Sequence, residues 1–333
     1  MNKQLNETAK KVVAKTILAA DESTKTITKR LATIGVVSNP EVNRQYRQIL
    51  FTANEIEKYV SGVILYDETI RQKTDDGIPF TKLLSQEGVI PGIKVDMGTV
   101  KFSDDKPDTY TEGLEGLEKR LLEYKNLGAK FAKWRSVFTI AGGSPTDEAV
   151  EKNAQDLALY AKICQDAEIV PIVEPEVLMD GNHSIEKDKE VTERVLASVF
   201  NKLKAHNVDL SGVILKPNMV TSGKDNPQQA DTETVAQTTL EVMKETVPPE
   251  VPGIAFLSGG QSPELATRHL NAINKIRNTD QNKYPWRITA SFGRALQGEA
   301  LEAWGGKNEN VTVAQKVFIE RAEKVFLASL GQL

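Results

Sequence analysis

The chain has 333 residues, 40% of them hydrophobic and 26% charged, with a net charge of −4. That balance is ordinary for a soluble globular protein, and the acidic excess argues against nucleic acid or an anionic membrane as the main partner. Cys164 is the only cysteine and the three histidines, His183, His206 and His269, lie far apart, so neither a disulfide framework nor a histidine metal site is expected.

Met1 to Lys15 is polar and lacks the apolar core of a signal peptide, and no stretch approaches the length of a membrane span. A cytoplasmic setting is expected, with Cys164 a buried structural thiol on a helix. Thr16 to Ala20 reads as the first strand and ends in Asp21-Glu22-Ser23. A polar helical segment runs through Lys29, Arg30 and Leu31, and a second helix is predicted over Glu41 to Glu57. Val60 to Tyr66 is the second strand, and Thr81 to Gln86 a short helix. Val89 to Val95 is the third strand. Residues 111 to 127 carry leucines 114, 117, 121 and 122 at helical spacing, with Gly128 as the stop.

Ala129 to Val137 is the fourth strand. Ser144-Pro145 predicts a long helix with Ser144 as its cap and Pro145 in its first turn. Ile169 to Val173 is the fifth strand, followed by Glu174-Pro175-Glu176, and residues 187 to 206 are helical. Val213 to Leu215 is an apolar run that Pro217 halts just after Lys216, since proline cannot continue a central strand. Thr232 to Thr246 is helical. Ile254 to Leu257 ends at Ser258-Gly259-Gly260, and Ser262-Pro263-Glu264 starts another capped helix. Ile288 to Ala290 ends at Ser291-Phe292-Gly293-Arg294, and residues 312 to 330 form the last helix.

Strand then helix, eight times over, predicts a single (β/α)8 TIM barrel spanning residues 1–333, with helical extensions at both ends. An open doubly wound sheet is the alternative. In such a barrel the chemistry sits at the carboxyl ends of the strands, where this chain places Asp21, Lys94, Lys133, Arg135, Glu174, Glu176 and Lys216. Period-2 alternation puts Lys133 and Arg135 on one face; Glu174 and Glu176 share a face unless Pro175 breaks the alternation. A ring of solvated rim charges is the bland alternative. A lysine walled by apolar groups at a strand end can lose its proton through desolvation, and a neutral amine attacks carbonyls to form a Schiff base. Ser258-Gly259-Gly260 and Gly293-Arg294 supply backbone amides and a guanidinium after strands seven and eight, the common phosphate site of this fold.

The segments ILAADES (17–23), GIKVDMG (92–98), AKWR (132–135), VEPE (173–176), LKPNMV (215–220), LSGGQS (257–262) and SFGRALQ (291–297) occur in order at the strand ends. With them the chain resembles the class I fructose-1,6-bisphosphate aldolases over nearly its whole length. The resemblance implies a glycolytic and gluconeogenic enzyme on a (β/α)8 barrel, with a phosphosugar substrate, no metal and no cofactor, commonly a homotetramer. It implies Lys216 as the Schiff-base lysine and Glu174 as general acid/base, with Asp21, Lys133 and Glu176 completing the catalytic set. Ser258, Gly259, Gly260, Ser291, Gly293 and Arg294 would hold the C1 phosphate. Ser23, Thr26, Arg30 and Lys94 would lie around the other end of the sugar, with Arg135 also on the substrate. Two departures stand out: Lys25 occupies a position where the family often has glycine, and the sequence ends at Leu333 without the tyrosine-ended tail of many animal members. Without that tail, proton return to the enamine is expected from a pocket group such as Glu174. The rival readings are another Schiff-base barrel, such as a transaldolase or deoxyribose-phosphate aldolase, and a non-catalytic phosphosugar-binding scaffold.

Overall fold

The computed structural model describes residues 2–333. Eight parallel strands close into one barrel: β1 Thr16–Ala20, β2 Val60–Leu65, β3 Ile90–Lys94, β4 Phe131–Phe138, β5 Val170–Val177, β6 Ile214–Leu215, β7 Gly253–Phe256 and β8 Arg287–Phe292. Each strand pairs with its sequence neighbour, and β8 returns to β1. Helices fill every connection and pack outside, so both faces of the sheet are buried, as parallel strands require.

Alternation along the strands builds the interior. Ile17 and Ala19 of β1, Phe131 of β4, Val170 and Ile172 of β5, Ile214 of β6 and Ala255 of β7 form one cluster inside the barrel. The helix Lys3–Val12 closes its amino-terminal end, with Leu5, Ala9, Val12 and Val13 packed into the same cluster. Two residues further along, the same parity turns from apolar to chemical: Ala19 gives way to Asp21, Phe131 to Lys133 and Arg135, Ile172 to Glu174 and Glu176, and Ile214 to Lys216. The apolar plug below and the charged layer above are one continuous pattern.

Gly92 of β3 makes room for the Phe131 ring. A Cβ there would meet Phe131 Cε2 at 2.3 Å. Gly92→Ala must therefore push a fully buried ring, and a loss of about 1–3 kcal/mol is expected in denaturant unfolding. An unchanged midpoint would show that the barrel floor repacks freely.

Local structure departs from expectation in five places. The helix predicted over Glu41 to Glu57 is broken: Pro40–Phe51 ends before Glu55, which adopts a left-handed φ of 67°, and a short turn Ile56–Tyr59 follows. Of residues 111 to 127 only Leu117–Asn126 is helical, because Thr109–Thr111 pairs with Thr99–Lys101 in an antiparallel hairpin. The long helix after β4 is capped by Thr146 rather than Ser144. The Thr146 hydroxyl accepts from the Ala149 amide and donates to Asp108 Oδ2 at 2.7 Å, and the helix starts at Asp147. The fifth strand, predicted to stop at Val173, runs on through Pro175 to Val177 in register with β4. Finally, Arg294–Trp304 is a helix that the hydrophobic pattern does not single out; it lies between β8 and the last helix, Val311–Ala328, and packs along that helix.

Candidate active site

Strand register fixes the layout at the carboxyl end. Lys94 of β3 is opposite Lys133 of β4, Arg135 of β4 is opposite Glu174 of β5, and Val173 is opposite Leu215, which brings Lys216 beside Glu174. A cavity of about 300 Å³ opens there. Its walls contain Asp21, Ser23, Thr26, Arg30, Lys94, Lys133, Arg135, Glu174, Glu176, Lys216, Ser258, Gly259, Gly260, Ser291, Gly293 and Arg294, together with Ala19, Glu22 and Leu257. Every residue expected from the sequence to be catalytic or substrate-binding thus lines one space.

Charges of opposite sign alternate across its floor. Lys133 Nζ lies 2.8 Å from Asp21 Oδ2 and 3.2 Å from Glu174 Oε2, with Asp96 Oδ2 at 3.8 Å. The other oxygen of Glu174 is 2.9 Å from Lys216 Nζ. The side chains of Lys133, Glu174 and Lys216 are 4–5% exposed, so the chain Asp21–Lys133–Glu174–Lys216 is dry enough for its charges to act strongly on one another. Burial alone would push Asp21 and Glu174 up, but Lys133 and Lys216 outweigh it and hold both carboxyls below the usual range. Burial alone would push Lys133 down, but Asp21, Glu174 and Asp96 outweigh it and hold its ammonium charged. Further out, Lys94 pairs with Asp96 at 2.6 Å and Arg135 Nε with Glu176 at 2.5 Å.

Another part of the wall carries glycines, a guanidinium and a helix start. Gly259 and Gly260 take left-handed φ values of 59° and 91°, which turns the backbone as few side-chain-bearing residues would allow. A Cβ on Gly260 would sit 4.0 Å from Arg294 Nη2. Arg294, which lines the same space, is the first residue of the helix Arg294–Trp304, and a helix amino terminus favours negative charge. Ser291 Oγ is buried with no hydrogen-bond partner among the described residues.

Sequence reasoning missed two carboxylates. Asp96, in the quoted GIKVDMG segment, anchors Lys94 and also accepts from the Arg135 amide at 3.3 Å. Its signal is parity, two residues beyond Lys94. Glu22 turns away from the chemistry and takes Arg30, Arg47 at 2.5 Å and Gln297 Nε2 at 2.5 Å. Arg47 is fully enclosed, and burial pushes its guanidinium down to about 10. Arg30 Nη2 is 3.7 Å from where a Cβ on Gly293 would lie. Lys25 is exposed on the helix Thr24–Ala32 and lines an outer hollow that continues past Lys94 and Arg135. Cys164 is buried and free. Among the described residues, no His, Cys, Asp and Glu groups are arranged to hold a metal ion, and no helix is long and apolar enough to cross a membrane.

The family model for class-I fructose-bisphosphate aldolase matches residues 4–333. Cytosolic fructose-bisphosphate aldolase 5 of Arabidopsis thaliana is 52% identical over 332 residues, covering 99% of this chain and 91% of that protein. A probable class 1 fructose-bisphosphate aldolase of Xanthomonas campestris is 48% identical and covers 99% of this chain and 98% of its own. The solved structure of fructose-bisphosphate aldolase from Plasmodium falciparum, in complex with TRAP and a small-molecule inhibitor, superposes with a TM-score of 0.96 at 46% identity, covering 99% of this chain and 95% of that one. The chain belongs to the class-I fructose-bisphosphate aldolase family.

Proposed function

We propose that Lys216 is the nucleophile of this aldolase and that Glu174 carries protons for every step around it. The observation behind this reading is the single carboxylate shared between two lysines, 2.9 Å from Lys216 and 3.2 Å from Lys133. Glu174 accepts a proton from the Lys216 ammonium, and the free amine attacks C2 of the open-chain ketose. The protonated Glu174 returns that proton to the carbinolamine hydroxyl, which leaves as water, and the iminium keeps the positive charge. Glu174, again a carboxylate, takes the C4 hydroxyl proton as the C3–C4 bond breaks. The bond's electron pair moves onto the iminium, giving an enamine and releasing glyceraldehyde 3-phosphate. Protonation of the enamine at C3 and hydrolysis then free dihydroxyacetone phosphate. A general acid/base in reach of each of these atoms is what the chemistry needs.

Lys133 keeps Glu174 ionised between steps and offers an ammonium to the departing hydroxyl, while Asp21 anchors Lys133. Arg135 and Glu176 frame the sugar. Ser258, Gly259, Gly260, Ser291, Gly293 and Arg294 hold the C1 phosphate, and Ser23, Thr26, Arg30 and Lys94 serve the rest of the bisphosphate. The test is cleavage of fructose 1,6-bisphosphate in a chelator, where activity is expected to be undiminished; loss of activity there would overturn the reading. Arg294→Ala removes a charged hydrogen-bond donor from an otherwise neutral amide wall. It is expected to weaken substrate binding by about 1.5–3 kcal/mol, read as a rise in KM. An unchanged KM would move the C1 phosphate elsewhere.

We further propose a cytoplasmic homotetramer, in keeping with the family and with relatives named cytosolic. With a chain mass of 36.7 kDa, light scattering reads the assembly directly.

A further inference from the structure

β6 is the shortest strand of the barrel, with only Ile214 and Leu215 in the ladder. Lys216 follows at once, its amide donating to Val173 O at 2.8 Å. Residues 216–223 then run as irregular but buried backbone. Buried amides without a ladder need acceptors from elsewhere. Side chains of the two flanking helices supply them. Thr239 Oγ1 takes the Val220 amide at 3.0 Å, and Asp188 Oδ2 takes the Thr221 amide at 2.7 Å.

Asp188 lies on the helix Ile185–Ala205 and is 2% exposed. Its second oxygen accepts from the Thr192 hydroxyl at 3.0 Å. Thr192 Oγ1 in turn accepts from Asn218 Nδ2 at 3.3 Å, and Asn218 Oδ1 accepts from the Val177 amide at 2.9 Å. One end of this hydrogen-bond chain holds the segment that carries Lys216, and the other holds the end of β5, which carries Glu174 and Glu176. A buried carboxylate with no cation beside it is costly to keep. Burial pushes Asp188 up to about 7, against the opposing hydrogen bonds of Thr221 and Thr192.

We infer that Asp188 is a positioning residue for the reaction: as a hydrogen-bond acceptor it fixes the backbone after Lys216, and through Thr192 and Asn218 it sets the spacing of Lys216 and Glu174. It touches neither substrate nor reacting atoms. The inference rests on the assignment of Lys216 and Glu174 as the reacting pair.

Three variants test it, with steady-state kinetics and borohydride trapping of the imine formed with dihydroxyacetone phosphate. Asp188→Asn keeps an acceptor for Thr221 and is expected to hold kcat within about threefold of wild type. Asp188→Ala removes both acceptors and is expected to lower kcat about tenfold to a hundredfold, the scale on which small misplacements act. KM for the bisphosphate should stay within about twofold, because the phosphate wall is untouched. The trapping rate should fall with kcat. Asp188→Leu has nearly the shape of Asn without the acceptor, and provides the same reading should the alanine variant not fold. A folded Ala or Leu variant with wild-type kcat overturns the inference, and so does an Asn variant that falls as far as they do. Lys216→Met separates this from the underlying assignment: trapping that survives in Lys216→Met would sink the nucleophile, whatever Asp188 does.

Discussion

Lys216→Met is expected to leave a folded protein that binds fructose 1,6-bisphosphate but cleaves it at least about 10⁴-fold more slowly, the scale of losing a covalent nucleophile. Folding should survive because the substitution does not orphan Glu174, which keeps Lys133 at 3.2 Å. Methionine fills most of the vacated volume with an apolar chain, so little cavity cost is added. Binding should survive because the phosphate contacts lie on other strands. Calorimetric binding beside a sensitive cleavage assay checks both halves. Residual activity above about one per cent of wild type would mean that another amine does the chemistry.

Lys133→Met should damage both turnover and stability. Its ammonium is the common partner of Asp21, Glu174 and Asp96. Without it, Asp21 loses its nearest cation, Asp96 keeps only Lys94 at 2.6 Å and Glu174 keeps only Lys216 at 2.9 Å, so burial and the Asp21 charge push these carboxyls towards protonation. A protonated Glu174 cannot accept a proton from Lys216 or from the C4 hydroxyl, so kcat is expected to drop by about 10²–10⁴-fold. Stripping the partner from a buried ion cluster costs about 3–5 kcal/mol at neutral pH. The sign of the pH dependence follows from the shifts. Asp21 and Glu174 are held low in the folded wild type, so their contribution is present above the ordinary carboxylate range and fades as pH falls through their folded values. Lys133 is held high, so its contribution is present throughout neutral pH and fades only as pH rises above the ordinary lysine range. In the variant the carboxyls favour protonation. The gap in melting temperature between wild type and variant should therefore widen from about pH 4 to pH 7. A gap that is constant over that range would show that the cluster is not ionised as described.

Much of this site was legible because chemistry sits where patterns stop. Lys216 stands out since Pro217 ends an apolar run just after it, and Ser258-Gly259-Gly260 since glycines replace apolar residues at a strand end. The eight-fold rhythm gave the barrel for the same reason: buried parallel strands read as short apolar runs. What stayed hidden depends on partners distant in sequence. Thr146 rather than Ser144 caps its helix because Asp108 holds the Thr146 hydroxyl. Pro175 leaves β5 intact because the register with β4 carries the strand across it. Glu22 looks like part of the chemistry, but Arg47 and Gln297 draw it away. Asp96 was within reach of the parity argument applied to Lys133 and Arg135. Asp188 gave no signal at all, since nothing in its neighbourhood of the sequence reveals that it meets the Thr221 amide.

Borohydride reduction in the presence of dihydroxyacetone phosphate, followed by peptide mapping, tests directly whether Lys216 is the nucleophile. The secondary amine formed by reduction is permanent, so the modified residue identifies the nucleophile. Stoichiometric inactivation is expected, with the added mass on Lys216 alone, unaffected by chelator, and no modification when borohydride is used without substrate. Label on Lys133, Lys94 or Lys25, or inactivation without any modified lysine, would contradict it.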